Sequence, residues 1–167
     1  GPNIGFDIKG TGDKLQLMMY SVTKQGIDNT AAAGYKCAEY DLGSASKWST
    51  IPSRMWVSGK YAINYLGTQV EYDNEGGIWI ASHRNTATET NPGLVHINAS
   101  RVEDFKKVWS NVQNAGIRYN KDFSKLIIAG ISAGTANSTK ATIYSVSKDA
   151  NGKPVLTEEL VVDMSHV

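Results

Sequence analysis

Short apolar runs separated by clusters of turn residues follow one another along the whole chain. The runs are rich in Val, Ile, Thr and Tyr, which suit a pleated, half-buried surface. They predict strands over Lys14–Val22, Tyr35–Leu42, Lys60–Tyr65, Gly77–Ser82, Leu94–Asn98, Leu126–Ala129, Ala141–Val146 and Leu160–Asp163. Between them lie "GTGD" (10–13), "DNEGG" (73–77), "NPG" (91–93), "NKDFS" (120–124) and "DANGKP" (149–154). Asp and Asn in such positions hydrogen-bond their own backbone and set turns, and Asn-Gly is a strong hairpin signal. Only "RVEDFKKVWSN" (101–111) departs from this grain. Its Val102, Phe105, Val108 and Trp109 recur at steps of three and four residues, which fits either a short helix or a charged loop leading to an outer strand.

Three segments repeat: "FDIKGTGDKLQLM" (6–18), "VEYDNEGGIWIA" (70–81) and "IRYNKDFSKLIIA" (117–129). Each runs strand, polar turn, apolar strand, with Leu15, Ile78 and Leu126 in register. A second strand follows each, with Tyr40, Ile97 and Tyr144 aligned. Units of about 45–60 residues with three or four strands have the size of a β-propeller blade. The units span roughly 4–50, 68–110 and 115–163, with 51–67 connecting the first two or adding strands of an extra partial unit.

The repeat also accounts for Gly130-Ile131-Ser132-Ala133-Gly134, a match to the G-x-S-x-G of α/β-hydrolases. A nucleophile elbow needs a helix after the serine, and the Thr-rich stretch that follows Ser132 is a poor helix former. The segment therefore reads as a strand and a variable loop, and a serine hydrolase using Ser132 stands as the alternative.

Composition narrows the function classes. Lys+Arg is 17 against Asp+Glu 16, a net charge of +1. That gives no basic excess for nucleic-acid binding. The single cysteine, Cys37, permits no intrachain disulfide and reads as a small core residue. His83, His96 and His166 lack zinc-site spacing, "DNEGG" lacks the alternate oxygens of a calcium loop, and no cofactor is expected. No run of about 18 apolar residues predicts a membrane span. The chain opens on Gly1-Pro2, the pair a common tag-removing protease leaves, so a native N-terminus and any export signal are expected to have been removed.

"YNKDFSKLIIAG" resembles the strand–turn–strand of TolB-like and NHL-type propellers. "EYDNEGGIWIASHR" and "ATIYSVSKDANGKPVLTEE" resemble propeller-type surface lipoproteins of gut Bacteroidetes. The resemblance implies an exported envelope protein, extracytoplasmic, with a binding or accessory role toward a glycan or an envelope protein. Two features depart from that pattern: there is no lipobox cysteine, and three units are too few to close a ring.

The expected fold is all-β, a propeller segment of about three blades closed by a second copy (3+3) or by the rest of a longer protein. The expected function is binding without catalysis, with a purely structural part of a larger propeller as a further alternative. Candidate ligand residues are His83, Arg84 and Asn85 in the loop after Ile80, where an Arg beside His and Asn suits a carboxylate or sugar hydroxyls. The plain alternative pairs Arg84 with Glu89 in a solvated loop. Trp56, near Pro52, offers a flat indole face for a sugar ring. Trp48, Trp79 and Trp109 read as packing between blades.

Overall fold

The computed structural model describes residues 4–9, 16–22, 35–41, 54–58, 64–83, 94–100, 102–107, 112–132 and 139–163. The described residues are all-β; no helix is present among them, and so none long and apolar enough to cross a membrane. Twelve strands form three four-stranded antiparallel sheets of consecutive strands. The first holds β1 (Ile4–Lys9), β2 (Gln16–Val22), β3 (Tyr35–Asp41) and β4 (Arg54–Ser58). The second holds β5 (Asn64–Tyr72), β6 (Ile78–His83), β7 (Leu94–Ile97) and β8 (Glu103–Lys107). The third holds β9 (Val112–Tyr119), β10 (Lys125–Ser132), β11 (Thr139–Lys148) and β12 (Pro154–Asp163). The leading strands neighbour one another, β5 lying beside both β1 and β9.

Of the segment 101–111, Glu103–Lys107 forms an outer strand, β8, the second of the two expected alternatives. Asn98 accepts hydrogen bonds from the backbone N–H groups of Ser100 (3.0 Å) and Val102 (3.1 Å), which turns the chain back along β7. All four residues of β7 are buried, so their backbone groups need a ladder partner on the β8 side. That need overrides a weak helical period. The connecting segment 51–67 resolves in the same way: Arg54–Ser58 completes the first sheet, and the residues from Asn64 onward belong to the long leading strand of the second.

Turn chemistry explains the hairpins. Asp73 Oδ1 accepts from the N–H of Glu75 (2.8 Å) and Gly77 (2.7 Å), and Asp149 Oδ1 from Asn151 (2.8 Å) and Lys153 (2.9 Å). Each turn then needs a left-handed residue, supplied by Gly76 (φ 86°) and Gly152 (φ 75°). In the third sheet that conformation falls on Phe123 (φ 60°), a costly position for a residue with a Cβ. Exposed Asp122 anchors this turn by accepting from the Ser124 hydroxyl (2.5 Å) and N–H (3.0 Å), bonds that hold its pKa below the ordinary value.

Strand register corrects one sequence alignment. The equivalent cross-strand rows are Ile8–Leu17–Tyr40, Tyr72–Ile78–Ile97 and Tyr119–Leu126–Tyr144. Leu17, two residues beyond the expected Leu15, matches Ile78 and Leu126, because more residues separate the paired strands in the first unit. The slip is an even number, so the same face stays inward.

The second sheet, between the other two, is buried on both sides. Val70, Tyr72, Ile78, Ile80, Val95 and Ile97 form one buried face of the second sheet. The first sheet lies on that side, where Asp7 Oδ2 accepts from the N–H of Tyr72 (2.8 Å). On the opposite face Trp79, Ala81 and Leu94 pack with Ile117, Leu126, Ile128 and Tyr144 of the third sheet. Trp79 is completely buried there, as its expected place between repeats requires, and donates from Nε1 to the hydroxyl of Tyr119 (2.6 Å).

Candidate functional site

A pocket of about 460 Å³ opens where the second and third sheets diverge, at the end that carries the turns 73–77, 98–102 and 149–153. Trp79, His96, Asp104, Tyr119, Phe123 and Lys148 are among its lining residues. At its base the His96 ring bridges two carboxylates, Nε2 to Asp73 Oδ2 at 2.7 Å and Nδ1 to Asp104 Oδ1 at 2.5 Å. Both His96 and Asp73 are buried. The Trp79 indole covers the His96 ring at a centroid distance of 4.6 Å, and Phe105 meets Trp79 edge-on at 5.4 Å.

Local backbone features aim each member of this group. Asp73 opens the β5–β6 turn: one oxygen organises the turn and the other is left for the imidazole. Asp104 is the extra residue of a β-bulge, since His96 pairs with Phe105 while Ile97 pairs with Glu103. A bulge re-aims a side chain that regular alternation would send elsewhere. The same device recurs in the third sheet. There Glu159 is the extra residue between Glu158 and Leu160, and its carboxylate meets Lys125 Nζ (2.5 Å) and the Ser145 hydroxyl.

Each of the two His–Asp lines needs one proton between its heavy atoms. The three groups with two such protons carry a net charge of −1. Burial pushes the Asp73 pKa up, but the hydrogen bonds from His96 and from the N–H groups of Glu75 and Gly77 outweigh it, and the carboxyl lies below its ordinary value. Burial also drives the Tyr119 hydroxyl well above the usual tyrosine range; the bond donated by Trp79 opposes this, and the nearby Asp73, Glu71 and Glu75 carboxylates add to it. Tyr119 is therefore a neutral hydroxyl in this pocket. An ion pair between Lys148 and Glu75 crosses the rim from the third sheet to the second. Both partners are exposed, so this bond contributes little to stability.

Gly77 is the close-approach point of the group. A Cβ there would stand 2.3 Å from Asp73 Oδ2 and 2.6 Å from His96 Nε2. Gly77→Ala is expected to drive the carboxylate and ring apart at a cost of about 2–4 kcal/mol, measured as a lowered urea midpoint.

His83 ends β6, which runs from Ile78 away from the 73–77 turn. Arg84, Asn85 and the His83 side chain lie outside the described residues, as do Trp48 and Trp109. Trp56 lies in β4 opposite Cys37, and its side chain too is outside the described residues. Ser132 is the last residue of β10, opposite Val112. The chain returns as β11, antiparallel to β10, with Gly130 opposite Lys140 and Ile131 opposite Thr139. β10 and β11 are thus adjacent antiparallel strands, and residues 133–138, where a nucleophile elbow would begin its helix, lie outside the described residues. His96 was visible in the sequence only as an isolated histidine without metal-ligand spacing. Its partners come from residues 73 and 104, and no periodicity links them.

No protein-family model matches the chain, and no curated protein matches its sequence.

Proposed function

We propose that the three sheets are blades of a β-propeller and that the chain is a non-catalytic binding module of the cell envelope, with a glycan as ligand. The pocket between the second and third sheets carries this reading. It sets the aromatic rings of Tyr119 and Phe123, 5.1 Å apart, beside the polar groups of Asn98, Ser100 and Asp104. Aromatic faces beside hydroxyl-accepting groups suit a sugar ring, whose C–H face is apolar and whose edge is polar. Binding is favoured over catalysis because the titratable groups of the pocket are engaged with one another. His96 has both ring nitrogens occupied, and Lys148 is paired with Glu75. The antiparallel pairing of β10 with β11 supports the same choice. The extracytoplasmic setting rests on the resemblance of "EYDNEGGIWIASHR" and its neighbours to surface lipoproteins.

The test is saturation-transfer NMR with neutral, acidic and amino oligosaccharides. At least one class is expected to receive saturation from the protein. Phe123→Gly, which removes a pocket ring and suits the left-handed backbone at that position, should weaken binding about tenfold without lowering the melting temperature. Absence of transfer to all three classes would overturn the glycan reading.

A further inference from the structure

Strand register exposes a second recognition surface, independent of the pocket. In the second sheet the row Glu71–Trp79–His96–Phe105 lies on the face that the third sheet covers. The equivalent row of the third sheet is Arg118–Ile127–Ile143–Leu160, and beside it on the same face runs Gly116–Ala129–Ala141–Val162. Sequence and register therefore give the third sheet two largely apolar rows, bordered by Arg118 and the Lys125–Ser145–Glu159 group, where the second sheet has its covered face. Here the rows are open: Leu160 is 53% exposed, Val162 39% and Ile127 37%. At the other end of the stack, the first sheet carries Phe6, Ile8, Leu17, Met19, Ala38 and Tyr40 on the register positions of the second sheet's opposite face. In the second sheet those positions are the buried Val70, Tyr72, Ile78, Ile80, Val95 and Ile97.

We propose that the open face of the third sheet docks on the first sheet of a second copy of this chain, head to tail, and that two copies close into one assembly. The contact continues the one already made twice within the chain, at the same register positions on each side. A head-to-tail contact either closes or runs on into a filament. Two copies supply six sheets, within the range of closed propellers. One feature of the internal contacts is missing. Asp7 and Glu71 each accept an N–H from the leading strand of the next sheet, at Tyr72 and Tyr119. Arg118 stands in that place in the third sheet and turns back to Glu71 at 2.6 Å. The contact between copies is held by the apolar rows without that bond, so it dissociates on dilution.

Light scattering on a size-exclusion column, across a dilution series, tests this. The expected result is a mass of twice 18.1 kDa at the highest concentrations, falling toward 18.1 kDa on dilution. Leu160→Glu should hold the protein at the monomer mass at every concentration. Val161→Glu changes the adjacent exposed residue, which register places on the opposite face with Thr142 and Ile128, and should leave the dimer intact. Unchanged circular dichroism separates both effects from misfolding. A wild-type monomer at all concentrations would overturn the proposal, as would a ladder of growing masses or equal effects of the two variants. None of these results bears on glycan binding in the pocket.

Discussion

Replacing His96 by Ala is expected to remove about 3–5 kcal/mol of stability, seen as a large fall in the urea midpoint at neutral pH. The ring occupies the space between two carboxylates and fills hydrogen-bonding positions on both, at 2.7 and 2.5 Å. Its loss leaves Asp73 and Asp104 facing each other in a buried setting with no proton between them. Breaking such a group costs far more than forming it contributes, because the stranded charges keep their desolvation cost. Asp73→Asn should be much milder. The amide oxygen can still accept from Glu75 and Gly77, and the amide nitrogen can donate to the imidazole.

Comparison of Asp73→Asn with the wild type also gives a pH readout. The folded-state pKa of Asp73 is depressed, so its contribution is present above the unfolded value near 3.8 and is lost as pH falls through the folded value. Between pH 5 and 7, roughly, stability should be flat with respect to this group. Below about pH 4 the wild type should lose stability more steeply than Asp73→Asn, which has no carboxyl to protonate at that position. Parallel acid limbs for the two proteins would mean that the His96 bridge does not set the Asp73 pKa.

Trp79→Ala is expected to cost about 3–5 kcal/mol, the range for deleting a large aromatic side chain from a core. The indole is fully buried and touches both the core shared by two sheets and the base of the pocket. Its removal opens a cavity between the sheets and leaves the Tyr119 hydroxyl without its donor. Trp79→Phe keeps most of the volume and loses the bond, so about 1–2 kcal/mol is expected. Fluorescence provides an independent check. Trp79 should contribute blue-shifted emission, so loss of that component without loss of stability would contradict its place between the sheets.

Much of the architecture was readable from local chemistry. Asp73, Asp149 and Asn120 sit in polar clusters between β-branched runs, and each organises its turn through its own side chain. Alternation placed Trp79 against a neighbouring repeat because period two in a sheet leaves only two faces to choose between. Where connections differ in length, local sequence does not specify which residues meet across the turn, so Leu17 and not Leu15 takes the position of Ile78 and Leu126.

What the sequence by itself determined was the all-β class, the three units and the turns, because these depend on residues a few positions apart. The site was decided by tertiary structure alone. Asp104 lies in a stretch whose spacing suits a helix as well as a strand, and only pairing with buried β7 makes it the bulge residue that reaches His96. Asp73 meets that ring because β5, β6 and β7 lie side by side, and Tyr119, Phe123 and Lys148 arrive from a different sheet. The forces that gather them, burial of β7 and packing around Trp79, act between residues far apart in the chain, where no local pattern records them.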